Sequence, residues 1–120
     1  MKRLLLVDDC IDVHLLVRAK LRRAGRSDVE LVTATDGQAA LDYAQPERFP
    51  DLVITDVNMP RCDGPTLVGA LRAAGYPGPI LLTSSAPAAL VAGAQAMIDK
   101  GILLDELAVL LDAWLGPAVS

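Results

Sequence analysis

Short apolar runs alternate with longer amphipathic segments along this chain. Four runs are apolar at nearly every consecutive position and a fifth is weaker; they cover residues 4–7, 29–33, 52–55, 80–83 and 96–98. Consecutive apolar positions are typical of strands that are covered on both faces. The runs therefore predict five strands of a buried sheet.

The first segment between the runs predicts a helix. Its apolar residues recur at spacings of four, four and three, which places them on one helical face: Val13, Val17, Leu21 and Ala24. Gly25 follows directly and is a natural helix stop.

Further helices are predicted after the second, third and fifth runs. Asp36 can cap the second helix, and Pro65 suits the first turn of a third helix over residues 65–74. The last helix carries an apolar stripe, with two acids near its N-terminus, where the helix dipole favours them. The stripe is Leu103, Leu107, Leu110 and Trp114, and the acids are Asp105 and Glu106.

This alternation of strand and helix predicts an α/β fold. Right-handed crossovers then give a doubly wound parallel sheet with helices on both faces. In such sheets the working site lies beyond the carboxyl ends of the strands.

Composition narrows the class of protein. The chain has 120 residues, 52% of them apolar, which predicts one domain over residues 1–120. A net charge of −4 argues against nucleic-acid binding, and no apolar stretch is long enough to span a bilayer. The N-terminus does not resemble a signal peptide, and two cysteines make no disulfide framework, so we expect a cytoplasmic protein.

Charged and hydroxyl side chains follow the predicted strands. Asp8 and Asp9 follow the first, Asp56 the third, Ser84 the fourth and Lys100 the fifth. Crowded carboxylates repel one another, and a hard cation such as Mg²⁺ removes that cost. An aspartate held between a metal and a lysine is a plausible nucleophile toward phosphate.

Four stretches resemble one family, the response-regulator receiver domain of two-component signalling systems, with its CheY-like fold. They are LLLVDDC, TATDGQAAL, DLVITDVNMPRCDG and PGPILLTSS. The resemblance covers residues 3–85 and returns in the last helix. It implies a flavodoxin-like sheet with strand order 2-1-3-4-5.

The resemblance also implies a chemistry. Asp56 would accept a phosphoryl group from a phosphohistidine on a sensor histidine kinase or a histidine phosphotransfer protein. The implied Mg²⁺ ligands are Asp8, Asp9, Asp56 and the backbone carbonyl of Asn58.

Two further side chains would contact the phosphoryl group. Ser84 would bond one phosphoryl oxygen and Lys100 would pair with another. Thr83 is the rival for the hydroxyl role, but Ser84 lies one step further past the apolar run.

The segment before the lysine departs from the family. Only fifteen residues separate Ser84 from Lys100, and they include Pro87 and Gly93. The fourth helix of the family is therefore expected to be short or irregular here. Met97 stands where receivers carry a switching Tyr or Phe, so we expect phosphorylation without the usual hydroxyl–aromatic coupling.

Two surface interpretations remain open. His14 is expected on the surface, in a basic stripe with Arg18 and Arg22 that is either a solvated face or the docking face for the histidine-bearing partner. Trp114 and Leu115 can support dimer contacts, so we expect a monomer or a weak homodimer.

Three functions fit these residues. The leading one is a stand-alone receiver that catalyses its own phosphoryl transfer and loss and signals to a downstream protein by contact. The alternative is a receiver-like scaffold whose partner binding ignores phosphorylation. A phosphohydrolase with an aspartyl nucleophile is weaker, because Asn58 stands where such enzymes of the haloacid dehalogenase type place a second Asp.

Overall fold

A computed structural model describes residues 1–59, 62–86 and 89–118. Its strands are β1 (Lys2–Val7), β2 (Val29–Ala34), β3 (Leu52–Asp56), β4 (Ile80–Ser84) and β5 (Ala96–Asp99). Its helices are α1 (Ile11–Arg23), α2 (Gly37–Tyr43), α3 (Gly64–Ala73), α4 (Lys100–Asp105) and α5 (Leu107–Leu115), with a 3₁₀ turn at Pro46–Arg48.

The five strands form one parallel sheet in the order β2-β1-β3-β4-β5. Every residue of β3 and β4 is buried, whereas β5, at the edge, has no fully buried residue. The predicted α/β fold and strand order are therefore confirmed, and the central strands are the ones that consecutive apolar positions indicate.

Alternate residues of the strands pack into two hydrophobic cores on opposite faces of the sheet. One core joins the sheet to α1, α4 and α5; its members include Leu4, Leu6, Ile54, Val17, Leu21, Leu103, Leu107 and Leu111. The other joins the sheet to α2 and α3; its members include Leu5, Val7, Val53, Ala40, Leu67, Val68 and Leu71. Burial of one such leucine stabilises the fold by roughly 1.5–3 kcal/mol.

Helix α1 ends where the glycine predicts. Gly25 has φ +68 and donates its N–H to the Arg22 carbonyl at 3.1 Å. Val17 and Leu21 are buried, but Ala24 is exposed. Its predicted place on the buried face is wrong because the helix ends at Arg23 and Ala24 forms the cap.

Helices α2 and α3 begin at aspartate caps. Asp36 accepts a hydrogen bond from the Ala39 N–H at 2.8 Å, as predicted. Asp63 does the same for the Thr66 N–H at 2.9 Å, with Pro65 in the first turn.

The last predicted helix is divided at Glu106, whose φ −114 and ψ 21 depart from helical values. Beyond this point the buried face follows Leu107, Leu111 and Leu115, while Leu110 and Trp114 are half-buried. Leu110 and Trp114 nevertheless pack against the same core as Leu103 and Leu107, so the predicted stripe is confirmed, with Leu111 and Leu115 as its more deeply buried neighbours.

The two acids directly precede α5, so they lie at its N-terminus as predicted. Asp105 is the last residue of α4, and the side chain of Glu106 makes no capping bond to α5. Asp99 caps α4 instead, accepting the N–H groups of Gly101 at 2.8 Å and Ile102 at 3.2 Å.

The connection between β4 and β5 contains no helix in its described residues, 85–86 and 89–95. This agrees with the expected short or irregular fourth helix; Pro87, one of the residues behind that expectation, lies outside the described part. In the described residues, no helix is long and apolar enough to cross a membrane.

Candidate phosphoryl-acceptor site

Three carboxylates meet at the carboxyl edge of the sheet. Strands β1 and β3 are neighbours in register, with Val7 paired to Thr55, so the next residues, Asp8 and Asp56, lie level with each other. Both are buried, with 1% and 6% of their surface exposed, while Asp9 is exposed. One carboxylate oxygen from each of the three lies within 4.8 Å of the others.

Lys100 joins the two buried carboxylates. Its Nζ lies 3.0 Å from Asp56 Oδ2 and 3.1 Å from Asp8 Oδ2. Burial lowers the pKa of Lys100, but the hydrogen bonds to Asp56 and Asp8 and the charges of these carboxylates more than offset this, so its pKa is raised overall. The ammonium therefore stays charged at neutral pH.

The other oxygens of the buried carboxylates accept backbone N–H groups. Asp8 Oδ1 accepts from Cys10 at 2.9 Å, and Asp56 Oδ1 accepts from Asn58 at 3.3 Å. Each buried carboxylate is thus held from two sides, which fixes its orientation at the strand end.

The donor set fits a hard divalent cation. Three carboxylates against one ammonium leave an excess of two negative charges at a partly buried edge. Carboxylate oxygens are ligands that Mg²⁺ binds in proteins. One oxygen from each of Asp8, Asp9 and Asp56 already lies within 4.8 Å of the other two, so the three side chains could hold one ion together.

The two candidate hydroxyls have different partners. Thr83 Oγ1 donates to the Thr55 carbonyl inside the sheet, over a long 3.5 Å contact. Ser84 is also buried, and its Oγ donates to the Ala86 carbonyl at 2.6 Å and accepts from the Ala86 N–H at 3.2 Å. Ser84 is therefore engaged with the following loop, from which rotation of one side-chain bond frees it.

His14 is not the surface residue that its sequence position predicts. Only 7% of it is exposed, and its Nε2 lies 2.8 Å from the backbone carbonyl of Asp8. Since His14 shares helical spacing with Val17 and Leu21 just as Val13 does, either residue could have been assigned to the buried face. The basic stripe therefore shrinks to exposed residues such as Arg18 and Arg22.

Met97 and the two cysteines differ in how far they are buried. Met97 is half-buried and packs against the core below α2 and α3. Cys10 and Cys62 are both free thiols, the first exposed and the second half-buried. Of the stretch that resembles the family around Asp56, Pro60 and Arg61 lie outside the described residues.

Comparisons with known proteins agree on one family. The transcriptional regulatory protein PrrA of Mycobacterium tuberculosis is 38% identical over 119 residues, which cover 94% of this chain and 49% of PrrA. The chain thus spans about half the length of this curated relative.

Two solved structures share the fold closely. The chemotaxis protein CheY4 of Vibrio cholerae is 31% identical with a TM-score of 0.77, and the match covers 95% of this chain and 98% of CheY4. The response regulator TrrA of Thermotoga maritima, solved in complex with Mg²⁺ and BeF, is 29% identical with a TM-score of 0.79. That match covers 95% of this chain and 99% of TrrA.

The family model of the response regulator receiver domain matches residues 4–112 of this chain. Receiver domains accept phosphoryl groups in two-component signalling and bind Mg²⁺ at an acidic pocket. With the CheY-like sheet and the acidic edge already described, this match shows that the chain belongs to the response-regulator receiver domain family.

Proposed function

We propose that this receiver accepts its phosphoryl group on Asp56, from a phosphohistidine of a sensor histidine kinase or a histidine phosphotransfer protein. The observation that carries the proposal is the position of the Asp56 carboxylate. It ends a buried strand beside Asp8 and Asp9 and lies 3.0 Å from the Lys100 ammonium.

Asp56 would act as the nucleophile. One of its oxygens forms a bond to phosphorus while the P–N bond of the phosphohistidine breaks, and the electron pair of that bond returns to the imidazole. Asp56 Oδ1 is held by the Asn58 N–H and Oδ2 by Lys100, so the carboxylate is already oriented for the reaction.

The chain's own residues would then stabilise the transferring group. Asp8, Asp9, Asp56 and the Asn58 carbonyl would hold Mg²⁺, which when bound neutralises charge on the phosphoryl oxygens. Lys100 would keep its charge beside Asp56 and pair with a phosphoryl oxygen. Ser84 would leave the Ala86 carbonyl and donate to another phosphoryl oxygen.

Partner contact is proposed to occur on the face beside this site. Three large apolar side chains on the two helices that follow site residues are more than half exposed: Ile11 and Leu15 on α1, and Ile102 on α4, two residues after Lys100. Arg18, also exposed, continues the same side of α1 at a spacing of three. We therefore propose that the histidine-bearing partner docks on α1, and that output is transmitted by contact with a downstream protein.

A second candidate is a receiver-like scaffold that binds its partner without regard to phosphorylation. It is favoured by the connection between β4 and β5, whose described residues form no helix, and by Met97 in the place of a switching aromatic residue. Asp56→Asn separates the candidates. A scaffold binds a captured partner with the same affinity in the variant and in the wild type. In a phosphorylation-dependent switch, a phosphoryl donor changes partner affinity in the wild type but not in Asp56→Asn.

The test of the leading proposal is intact-mass spectrometry after incubation with Mg²⁺ and a small phosphoryl donor. We expect one phosphoryl adduct that requires Mg²⁺ and is absent from Asp56→Asn. Asp42→Asn is the matched control, because Asp42 is an exposed carboxylate on α2. Asp42→Asn should form the adduct as the wild type does, and an adduct that survives in Asp56→Asn would overturn the assignment.

A further inference from the structure

The side chain of Arg72 on α3 bonds to the connection between β4 and β5. Its Nε and Nη2 donate to the Gly93 carbonyl at 2.9 and 2.7 Å, and Nη2 also donates to Gln95 Oε1 at 3.1 Å. Its Nη1 donates to the carbonyls of Tyr76 and Gly78 at 2.8 and 2.7 Å. These five bonds equal the number of N–H donors that a guanidinium carries.

Packing fixes the same contact. The Arg72 guanidinium lies over the Tyr76 ring, 5.6 Å from its centroid. Gly93 has φ +95, and a Cβ at that position would lie 3.0 Å from Val68 Cγ1 on α3. The backbone of the connection therefore lies directly on α3 at a residue where only glycine fits without strain.

Gln95 transmits this anchorage to the sheet. Its N–H donates to the Ile80 carbonyl at 2.9 Å, and its Oε1 accepts the Ile80 N–H at 2.7 Å. Arg72 and Ile80 thus share the same amide oxygen. The next residue begins β5, whose pairing runs from Leu81 with Ala96 to Ser84 with Asp99.

Strand β5 is held less firmly than the central strands β3 and β4, whose residues are all buried. It is four residues long, lies at the edge of the sheet and is only partly buried. Register is weakly specified where neither face of a strand is firmly buried. A slip of one residue would displace Lys100 by about 3.3 Å, enough to break its contacts with Asp8 and Asp56.

We propose that Arg72 is a positioning residue for phosphoryl transfer: through Gly93 and Gln95 it sets the register of β5 and so places the Lys100 ammonium on Asp56. Arg72 touches no reacting atom and acts through Lys100. This inference rests on the proposed function of Asp56 and Lys100.

The test compares Arg72→Met with Arg48→Met. Arg48 makes the same kinds of contact elsewhere: it donates to the carbonyls of Tyr43 and Asp42 at 2.6 and 2.7 Å, and it lies 5.5 Å from the centroid of the Tyr43 ring. Arg48→Met therefore removes an arginine with similar carbonyl and ring contacts and leaves the contacts of β5 unchanged. Arg72→Lys, which keeps the charge but cannot donate in both directions, serves if Arg72→Met does not fold.

Three readouts separate positioning from general loss of structure. The rate of adduct formation is expected to fall about tenfold or more in Arg72→Met, since small misplacements of a reacting group are costly. Mg²⁺ affinity by calorimetry is expected to be at least as high as in the wild type, because β1 and β3 carry the carboxylates and a displaced Lys100 no longer competes with the ion for Asp8 and Asp56. In a Lys100→Met background, Arg72→Met is expected to cause no further loss of rate. Arg48→Met is expected to match the wild type in all three.

Two results would overturn the proposal: a wild-type rate in folded Arg72→Met or Arg72→Lys, or an equal loss with and without Lys100. If the wild type itself forms no adduct, the proposed function fails. The Arg72 proposal is then tested separately, by measuring the register of β5 against β4. Nuclear Overhauser contacts that define the pairing of Leu82 with Met97 measure that register. Their loss in Arg72→Met and retention in Arg48→Met would support the proposal, and their retention in both would refute it.

Discussion

Removal of the Lys100 ammonium is the perturbation whose effect the structure defines best. Among the described residues this group is the cation that contacts both Asp8 and Asp56, at 3.1 and 3.0 Å. Lys100→Met keeps most of the aliphatic chain and deletes the charge. It leaves two carboxylates with side chains only 2% and 7% exposed to repel each other without that cation.

The expected cost follows from burial. Breaking a fully buried ion pair by removing one partner costs about 3–5 kcal/mol. The Lys100 side chain is 24% exposed, so water reaches part of the site and the cost is smaller. We expect the free energy of unfolding to fall by about 1–3 kcal/mol in metal-free buffer. Saturating Mg²⁺ is expected to narrow the difference, because a bound cation supplies the missing positive charge.

The pH dependence has a definite sign. Since the pKa of Lys100 is raised in the folded state, its contribution to stability is complete below the ordinary lysine pKa and is lost as pH rises through the raised value. The difference between wild type and Lys100→Met should therefore be constant near neutral pH and shrink in the alkaline range.

Urea unfolding of both proteins, with and without Mg²⁺ and over a range of pH, measures these differences. Lys100→Gln, which is polar and uncharged, controls for the apolar character of methionine. Equal midpoints for wild type and Lys100→Met without metal, or a difference that grows when Mg²⁺ is added, would refute the reasoning.

Three further predictions concern groups around the site. His14→Leu removes the contact with the Asp8 carbonyl, so it should lower the free energy of unfolding by about 1 kcal/mol and weaken Mg²⁺ binding severalfold. Urea unfolding and calorimetry measure these two effects, and an unchanged Mg²⁺ affinity would show that His14 does not orient the loop that carries Asp8. Asp36→Ala removes the cap of α2 and should cost about 1 kcal/mol in urea unfolding, whereas Asp42→Ala on the exposed face of that helix should cost far less. Burial and two neighbouring carboxylates raise the pKa of the Cys62 thiol, so its alkylation near pH 8, followed by mass spectrometry, should be slower than that of a free cysteine in a peptide; an equal rate would contradict this.

The strands and the acidic edge could be predicted from the sequence because their signals are local. A consecutive apolar run followed by an acid, as at Asp56, shows both the buried strand and its polar end. Parallel pairing then brings Asp8 and Asp56 level without any further information. Lys100 was also predicted at this edge, because it follows the fifth apolar run, but the contacts that hold the weak edge strand in register could not be predicted.

Other features could not be predicted because their signals are not local. Helical spacing alone did not distinguish Val13 from His14, and it carries no sign of the contact between His14 Nε2 and the Asp8 carbonyl. The division of the last helix at Glu106 leaves no mark in its apolar pattern. Arg72 bonds largely to backbone carbonyls, among them that of Gly93, 21 residues away, and carbonyls carry no side-chain signature.

The measurement that tests the central claim most directly is chemical trapping of the phosphorylated residue. The protein is incubated with Mg²⁺ and a small phosphoryl donor, reduced with borohydride, which converts aspartyl phosphate to homoserine, and digested for peptide sequencing by mass spectrometry. Homoserine at position 56, dependent on both donor and Mg²⁺, is the result we predict. Homoserine at position 8 or 9, or none at position 56 while Mg²⁺ binds normally, would contradict the account.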